Sequence, residues 1–546
     1  MENIYSSWYH PYQPAKAYSK RVAYFSMEFG IHQSFNIYSG GLGFLAGSHM
    51  RSGFELKQNM IGIGMLWKYG YYDQARNDDQ TLKTEFNEKH FNFLEDTGIE
   101  VEIKLHDNPH VKVRAYVLKP EVFGTVPMYF LTTDVEGNDH LSRTITNHLY
   151  DKNPVTRVSQ SIVLGIGGTK VVEALGGADT YHLNEGHALP AFYYLRDKGV
   201  TKEQMVFTTH TPELAGNEER DARHLNRCGF FGRTYTNEEL EREMVNGGMI
   251  NYTVSALRMS KRANGVSKLH ANVANDMWKG HSGISEIIPI TNAQNQNFWQ
   301  DDTIKEAWLK KEVDAYKARK FELKKELFEE VHKQTGKRFD PNVLTFVWAR
   351  RFAAYKRADL LLHDFDRFKR LISNQKYPVQ IIWAGKPYPF DYGAIDLFNH
   401  LVHHSKGEPN LAVLIGYEIE LSKKLKCGSD IWLNTPRITR EASGTSGMTA
   451  AMNGSVNVST NDGWIPEFEK DGENCFVLPA LDHNLPTWDQ DKIDSNNLYH
   501  ILEQKVIPTY YIDPSKWQDI VFKAMDDVIP EFTTQRMADD YYKKLF

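Results

Sequence analysis

The chain is poor in the features that mark several broad protein classes. Its three cysteines, Cys228, Cys427 and Cys475, are odd in number and lack the C-x-x-C spacing of a zinc or redox site. They are expected to be reduced thiols in a cytoplasmic protein. No apolar run approaches the roughly 18 residues needed to cross a bilayer, and Met1 to Gln13 lacks the basic and then apolar order of a secretory leader. A membrane partner is therefore not expected. Basic residues are in slight deficit, 64 Lys and Arg against 70 Asp and Glu, for a net charge of -6. General nucleic-acid binding, which needs a basic surface, is excluded on that ground. Also missing are a retaining-glycosidase carboxylate pair, a G-x-S-x-G elbow, a Walker loop and an H-E-x-x-H motif. Their absence weighs against hydrolases and nucleotide hydrolysis, and no metal site is expected.

What is present is an ordinary globular composition, 41% hydrophobic and 12% aromatic over 546 residues, long enough for about two to four domains. Strand, loop and helix units recur. RVAYFSMEF runs into the turn-rich NIYSGGLGFLAGSHM, and VPMYFLTT, ADTYHLNEGHALPAFYYL and EQMVFTTHTPELAG repeat the pattern of an apolar run ending in a polar loop. A charged Lys/Glu/Ala stretch at residues 303–337 has helical spacing, and beyond it a second series follows through NVLTFVWARRF, VQIIWAGK, NLAVLIGY, DIWLNTP and GSVNVST. This predicts an α/β protein with two Rossmann-like, doubly wound domains: residues 1–297, a helical connection at 298–337, a second domain at 338–513 and a helical tail at 514–546. Ligands of such sheets sit off the carboxyl ends of the strands.

Three segments carry chemistry. EASGTSGMTAAMN, Glu441 to Asn453, opens a helix with small residues whose backbone N–H groups suit an anion, although such a start also serves as a simple cap. In ARRFAAYKRADL, Arg351 and Lys356 follow a strand and are five positions apart, a pair able to grip a phosphoryl group or to form a solvated basic patch. Lys386, ending IIWAGK, is a third candidate cation. Gly40, Gly41 and Gly43 permit close backbone approach to a ligand. His187, His210, Glu185 and Glu213 sit at strand ends as candidate acid-base or structural groups.

Together these segments, with NGVSKLH, ITN and WLNTPR, closely resemble the glycogen and α-glucan phosphorylase family, in particular its shorter bacterial branch, over nearly the whole chain. The resemblance implies the GT-B architecture, two Rossmann-like domains facing across a cleft with a C-terminal helix returning to the first. It also implies roles: Gly40, Gly41, Leu42 and Gly43 over sugar and phosphate; His210 on the transferred glucose; Asn292 and Glu441, Ala442, Ser443 and Gly444 on its hydroxyls; Arg351 and Lys356 on the reacting phosphate. Glu185, His187 and Lys386 join the substrate set, and Thr445, Ser446 and Thr449 the phosphate or nucleotide set.

Thr449 departs from the family pattern, which places there the lysine that forms an imine with pyridoxal phosphate. Threonine has no amine, so no cofactor is expected. Ala293, where many relatives have glycine, is a milder departure. The favoured expectation is a retaining glycosyltransferase acting independently of pyridoxal phosphate, with a nucleotide sugar as donor and an α-glucan or related carbohydrate as acceptor. Phosphorolysis of an α-glucan to glucose 1-phosphate is the alternative, and a noncatalytic glucan-binding relative the third. A homo-oligomer is left open.

Overall fold

The computed structural model describes residue 8 and residues 10–106 and 108–546. Much of the start read above as lacking a leader, residues 1–7 and 9, lies outside the described residues. The chain divides into two compact units. One contains the described residues up to Tyr72 together with Phe86–Thr291 and Thr534–Phe546; the other contains Asp73–Glu85 and Asn292–Thr533.

The first unit is built on nine strands: β1 (Val22–Phe25), β2 (Met60–Met65), β3 (Glu95–Leu105), β4 (Asn108–Leu118), β5 (Met128–Thr132), β6 (Thr180–Asn184), β7 (Met205–Thr208), β8 (Arg262–Gly265) and β9 (Ile287–Pro289). Their order is β9-β8-β7-β6-β1-β2-β5-β4-β3, parallel from β9 to β5 and antiparallel beyond. VAYF, MIGIGM and MYFLT are buried along their whole length, as unbroken apolar strands must be when both faces of a parallel sheet are covered. β3 instead alternates exposed and buried positions, with one solvated face. Helix α1 (Gly41–Glu55) packs so close to the loop after β1 that a Cβ on Gly47 would lie 2.0 Å from the Gly30 carbonyl oxygen. The sheet order turns between β1 and β6, placing the loops that follow Phe25 and Asn184 side by side.

The second unit holds a six-stranded parallel sheet: β10 (Leu344–Ala349), β11 (Val379–Ala384), β12 (Leu411–Leu414), β13 (Ile431–Asn434), β14 (Val456–Ser459) and β15 (Cys475–Val477), in the order β12-β11-β10-β13-β14-β15. This is the three-two-one-four-five-six order of a doubly wound fold, whose switch point lies between β10 and β13. The charged stretch predicted as helical forms Asp302–Lys310 and the long helix α2 (Val313–Thr335). α2 buries Leu323, Leu327, Phe328 and Val331, and its two buried lysines find partners: Lys324 pairs with Asp430, and Lys320 donates to the carbonyls of Cys427 (2.8 Å) and Asn453 (3.0 Å). The helical tail divides. Helix Pro514–Glu531 belongs to the second unit and Thr534–Lys544 to the first, where Ser52 Oγ and Thr534 Oγ1 are 2.6 Å apart.

The hairpin Asp73–Arg76 with Leu82–Glu85 had no counterpart in the sequence reading. It belongs to the second unit. Gln74 donates to the Gly385 carbonyl (2.9 Å) and accepts from the N–H groups of Gly416 (2.9 Å) and Tyr417 (3.1 Å).

Candidate active site

In the first unit several of the candidate residues converge at the β1/β6 turn of the sheet. Asn184, the last residue of β6, donates to Ser26 Oγ (3.2 Å), which leaves its Oδ1 as acceptor for His210 Nε2 at 2.7 Å. The His210 proton is thereby fixed on Nε2. Burial, helped by His270 and His187, lowers the His210 pKa to about 3, so the ring is neutral at pH 7. His187 is likewise lowered to about 3 by burial and then by Arg157. Glu185 accepts from the backbone N–H of His210 (2.8 Å) and Gly186 (3.1 Å) and from the Thr211 hydroxyl (3.1 Å); burial still raises its pKa against those bonds.

The glycine loop is held by a residue the sequence reading passed over. Glu28, 2% exposed, accepts from the N–H of Ser39 (2.6 Å) and Gly40 (3.3 Å), from the Ser39 hydroxyl and from Tyr150 (2.6 Å). Gly43 is glycine for packing, since a Cβ would meet Tyr38 Cβ at 2.6 Å and Glu28 Oε2 at 2.8 Å. At Gly40 and Gly41 a Cβ would meet nothing within 4 Å. Leu42 is half-buried in the first turn of α1.

In the second unit the cations gather at the β10/β13 switch point. Arg350, directly after β10, sets its Nη2 3.0 Å from Glu441 Oε2, and Lys356 Nζ lies 3.0 Å from the same oxygen. All three are buried. Burial alone would raise the Glu441 pKa, but Arg350 and Lys356 pull it down to about 2; burial and Arg350 lower Lys356 to about 7 in spite of Glu441. Arg350 Nε and Nη1 are buried with no partner, as are Ser443 Oγ and Asn292 Oδ1. Unpaired buried guanidinium donors are costly and mark a place for an anion or other acceptor. Arg351 is exposed beside them, near enough for its charge to act on Glu441 and Lys356.

Helix α3 (Thr445–Met452) starts at this point. Its N-cap, Gly444, has φ 91° and no capping side chain, and a Cβ there would lie 3.5 Å from Arg350 Nη2. The first-turn N–H groups of Thr445 and Ser446 therefore open beside the guanidinium. Glu441 is held in place by Asp462, which accepts its N–H (2.9 Å) and whose own pKa burial raises to about 7. Arg357 clamps the loop after β13 through the Thr435 and Pro436 carbonyls (2.7 and 3.0 Å), and ion pairs anchor it to Asp491 (3.2 Å) and Asp494 (2.7 Å). Lys386 is buried and ion-paired to Glu418 at 2.9 Å. Ala442 is buried next to Glu441.

Thr449 is fully buried in α3. Its hydroxyl donates to the Ser446 carbonyl (3.0 Å), and its own carbonyl accepts from Asn453 (2.8 Å). The position supplies no amine, so it does not fit a pyridoxal phosphate held as an imine.

A family model described as carbohydrate phosphorylase matches residues 292–543. The maltodextrin phosphorylase of Thermococcus litoralis is 32% identical to this chain over 616 aligned positions, spanning all of this chain and 72% of that protein. The chain belongs to the carbohydrate phosphorylase family. Two further relatives of this phosphorylase-family chain are the glycogen phosphorylase of Mycobacterium tuberculosis, 30% identical over 99% of the chain and 72% of that protein, and an uncharacterized protein of Methanocaldococcus jannaschii, 46% identical over 96% and 100%.

The structure thus brings Lys356 and Glu441 together with the start of α3, and Glu185 and His210 together with each other. Arg350, Glu28, Asn184 and Asp462, which contact these candidate residues, were not singled out from the sequence. The signal for Arg350 was its place as the first residue after the central strand, where a side chain reaches the switch point. Among the described residues no group of His, Cys, Asp or Glu could hold a metal ion, and no helix is long and apolar enough to cross a membrane.

Proposed function

We propose that this phosphorylase-family chain is a retaining hexosyltransferase. It transfers a glucosyl unit from a nucleotide sugar to an α-glucan or related acceptor and does so without pyridoxal phosphate. The observation that carries this reading is the buried Arg350 guanidinium, with two nitrogens lacking partners beside an uncapped helix start, in a chain whose Thr449 offers no amine. Fixed cations and helix N–H groups stabilise a leaving diphosphate best when they are already aimed at it.

In this mechanism the sugar–phosphate bond lengthens first. Arg350, Arg351, Lys356 and the N–H groups of Thr445 and Ser446 take up the developing charge. A phosphate oxygen then accepts the proton of the incoming acceptor hydroxyl on the same face, so the anomeric configuration is retained with no protein nucleophile. By resemblance to the family, the His210 carbonyl is assigned the electron-poor sugar, and Glu441, with Asn292, Ser443 and Gly444, the sugar hydroxyls. Gly40 and Gly41, free of packing demands, admit the ligand against the backbone.

Phosphorolysis is the second reading, favoured by the relatives named as maltodextrin and glycogen phosphorylases. The same cations would then hold inorganic phosphate. To decide, the purified protein is given a maltooligosaccharide with ADP-, UDP- or GDP-glucose, and separately with phosphate. Nucleoside diphosphate release is expected. Glucose 1-phosphate formed from phosphate alone, or a bound pyridoxal chromophore, would overturn the nucleotide-sugar reading.

A further inference from the structure

Glu185 has a backbone that its side chain should forbid. Its φ of 73° and ψ of 168° fall in a region that glycine alone occupies readily, at a cost in backbone strain for any other residue. A glycine here would remove that cost, so the strain is retained for something the carboxylate does. Its contacts show what that is. The Glu185 N–H continues the β6/β7 ladder by donating to the Thr208 carbonyl (2.8 Å), and the unusual turn then swings the side chain across to β7. There it receives the His210 N–H at 2.8 Å and the Thr211 hydroxyl at 3.1 Å. The next residue, Gly186, follows the same bend against Tyr252, whose Cβ would lie 3.2 Å from an added Cβ. Asn184, one residue earlier, fixes the His210 ring through Nε2. Two consecutive residues of one strand end therefore hold the peptide and the ring of His210.

We infer that Glu185 is a positioning residue that locks the peptide entering His210, so that the His210 carbonyl meets the transferred sugar in one geometry. The sugar-facing role of His210 rests on the proposed function; the lock on its backbone does not. Catalytic alignment is sensitive to small displacements, and a shift of about 1 Å costs up to about a hundredfold in rate.

The test uses the full chain with Glu185→Gly and Glu185→Gln. Glu185→Gly removes both the strain and the carboxylate, whereas Glu185→Gln keeps the size but replaces one of the two acceptor oxygens, which together receive three donors, with an NH2 group. Hydrogen exchange, read by mass spectrometry, should accelerate about tenfold or more at residues 210–211 in both variants, with exchange in the second unit unchanged. Unchanged exchange at 210–211 would overturn the inference whatever the protein's substrate. With the donor that wild type turns over, kcat should fall about tenfold to a hundredfold. KM should stay within about threefold and the Tm of Glu185→Gly should not fall. A kcat equal to wild type, or kcat and Tm falling together, would make Glu185 ordinary scaffold and overturn the inference. Should wild type turn over neither a nucleotide sugar nor glucose 1-phosphate, the functional reading fails, and the exchange measurement still decides the role of Glu185.

Discussion

At the level of single residues, the second unit turns on a competition for Glu441. Arg350 and Lys356 both approach its Oε2, yet Lys356 is buried deeply enough to titrate near pH 7. An anion arriving beside Lys356 favours its charged form, so binding takes up a proton and weakens as the pH rises through about 7. Calorimetry with glucose 1-phosphate should therefore show wild type losing its affinity advantage over Lys356→Met between pH 6 and pH 8.5; a constant ratio would contradict this. Arg350 and Arg351 are separable in the same assay. Arg350→Met removes unpartnered buried donors and should weaken binding by about tenfold or more, since hydrogen bonds to charged groups contribute about 1.5–3 kcal/mol. Arg351→Met removes an exposed charge and should have a smaller, salt-sensitive effect.

The sequence made the neighbourhood of these residues legible but not their ranking. ARRFAAYK showed two arginines in tandem, and only the strand's end point at Ala349 decides that Arg350 turns inward while Arg351 is exposed. A one-residue difference in where a strand stops reverses the faces, and boundaries are the weakest part of sequence reading. Glu28 was hidden for another reason. Its partners Ser39, Gly40 and Tyr150 are 11, 12 and 122 positions away, and no local pattern announces a contact of that range.

At the level of elements, the apolar runs identified nine strands of the two large sheets, because buried parallel strands are apolar throughout and need no alternation. They missed β2, whose MIGIGM run is as apolar and as buried as the others, β3 and β4, whose mixed polar composition reflects one solvated face, and the short β8, β9 and β15. The glycine loop before α1 shows how elements separate packing from binding. Gly43→Ala should cost about 1–3 kcal/mol, measured as a lower midpoint of denaturation, because its Cβ would overlap Tyr38 and Glu28. Gly41→Ala has room for its Cβ and should leave stability within about 0.5 kcal/mol of wild type while lowering donor affinity. Equal losses of stability in the two variants would refute that distinction.

At the level of the whole molecule, the two units should respond differently to acid. In the first unit His49 is fully buried with neither ring nitrogen partnered, and burial lowers its pKa to about 3; burial also holds His182, likewise fully buried, well below the ordinary histidine range. Both pack against Tyr541, with ring centroids 5.1 and 5.2 Å away. The unfolded chain takes up protons near pH 6.5 while the folded chain refuses them. The stability these histidines allow is complete above pH 6.5 and is lost as the pH falls below that, for His49 down to about 3, by up to about 1.4 kcal/mol per pH unit for each. Hydrogen exchange at pH 4.5 should show the segment bearing Tyr541 opening before any helix of the second unit, and simultaneous opening would count against this.

The division of the chain bears on how it is made. The polypeptide passes from one unit to the other after Tyr72, Glu85, Thr291 and Thr533, so neither unit is an unbroken stretch. All nine strands of the first sheet leave the ribosome long before Thr534–Lys544, the helix whose Tyr541 covers its buried histidines. The second unit, from Asn292 onward, is synthesised in between. The unit that begins first is therefore finished last, and nascent chains must shelter an uncovered sheet face for more than two hundred residues of translation, a period in which chaperone binding is to be expected.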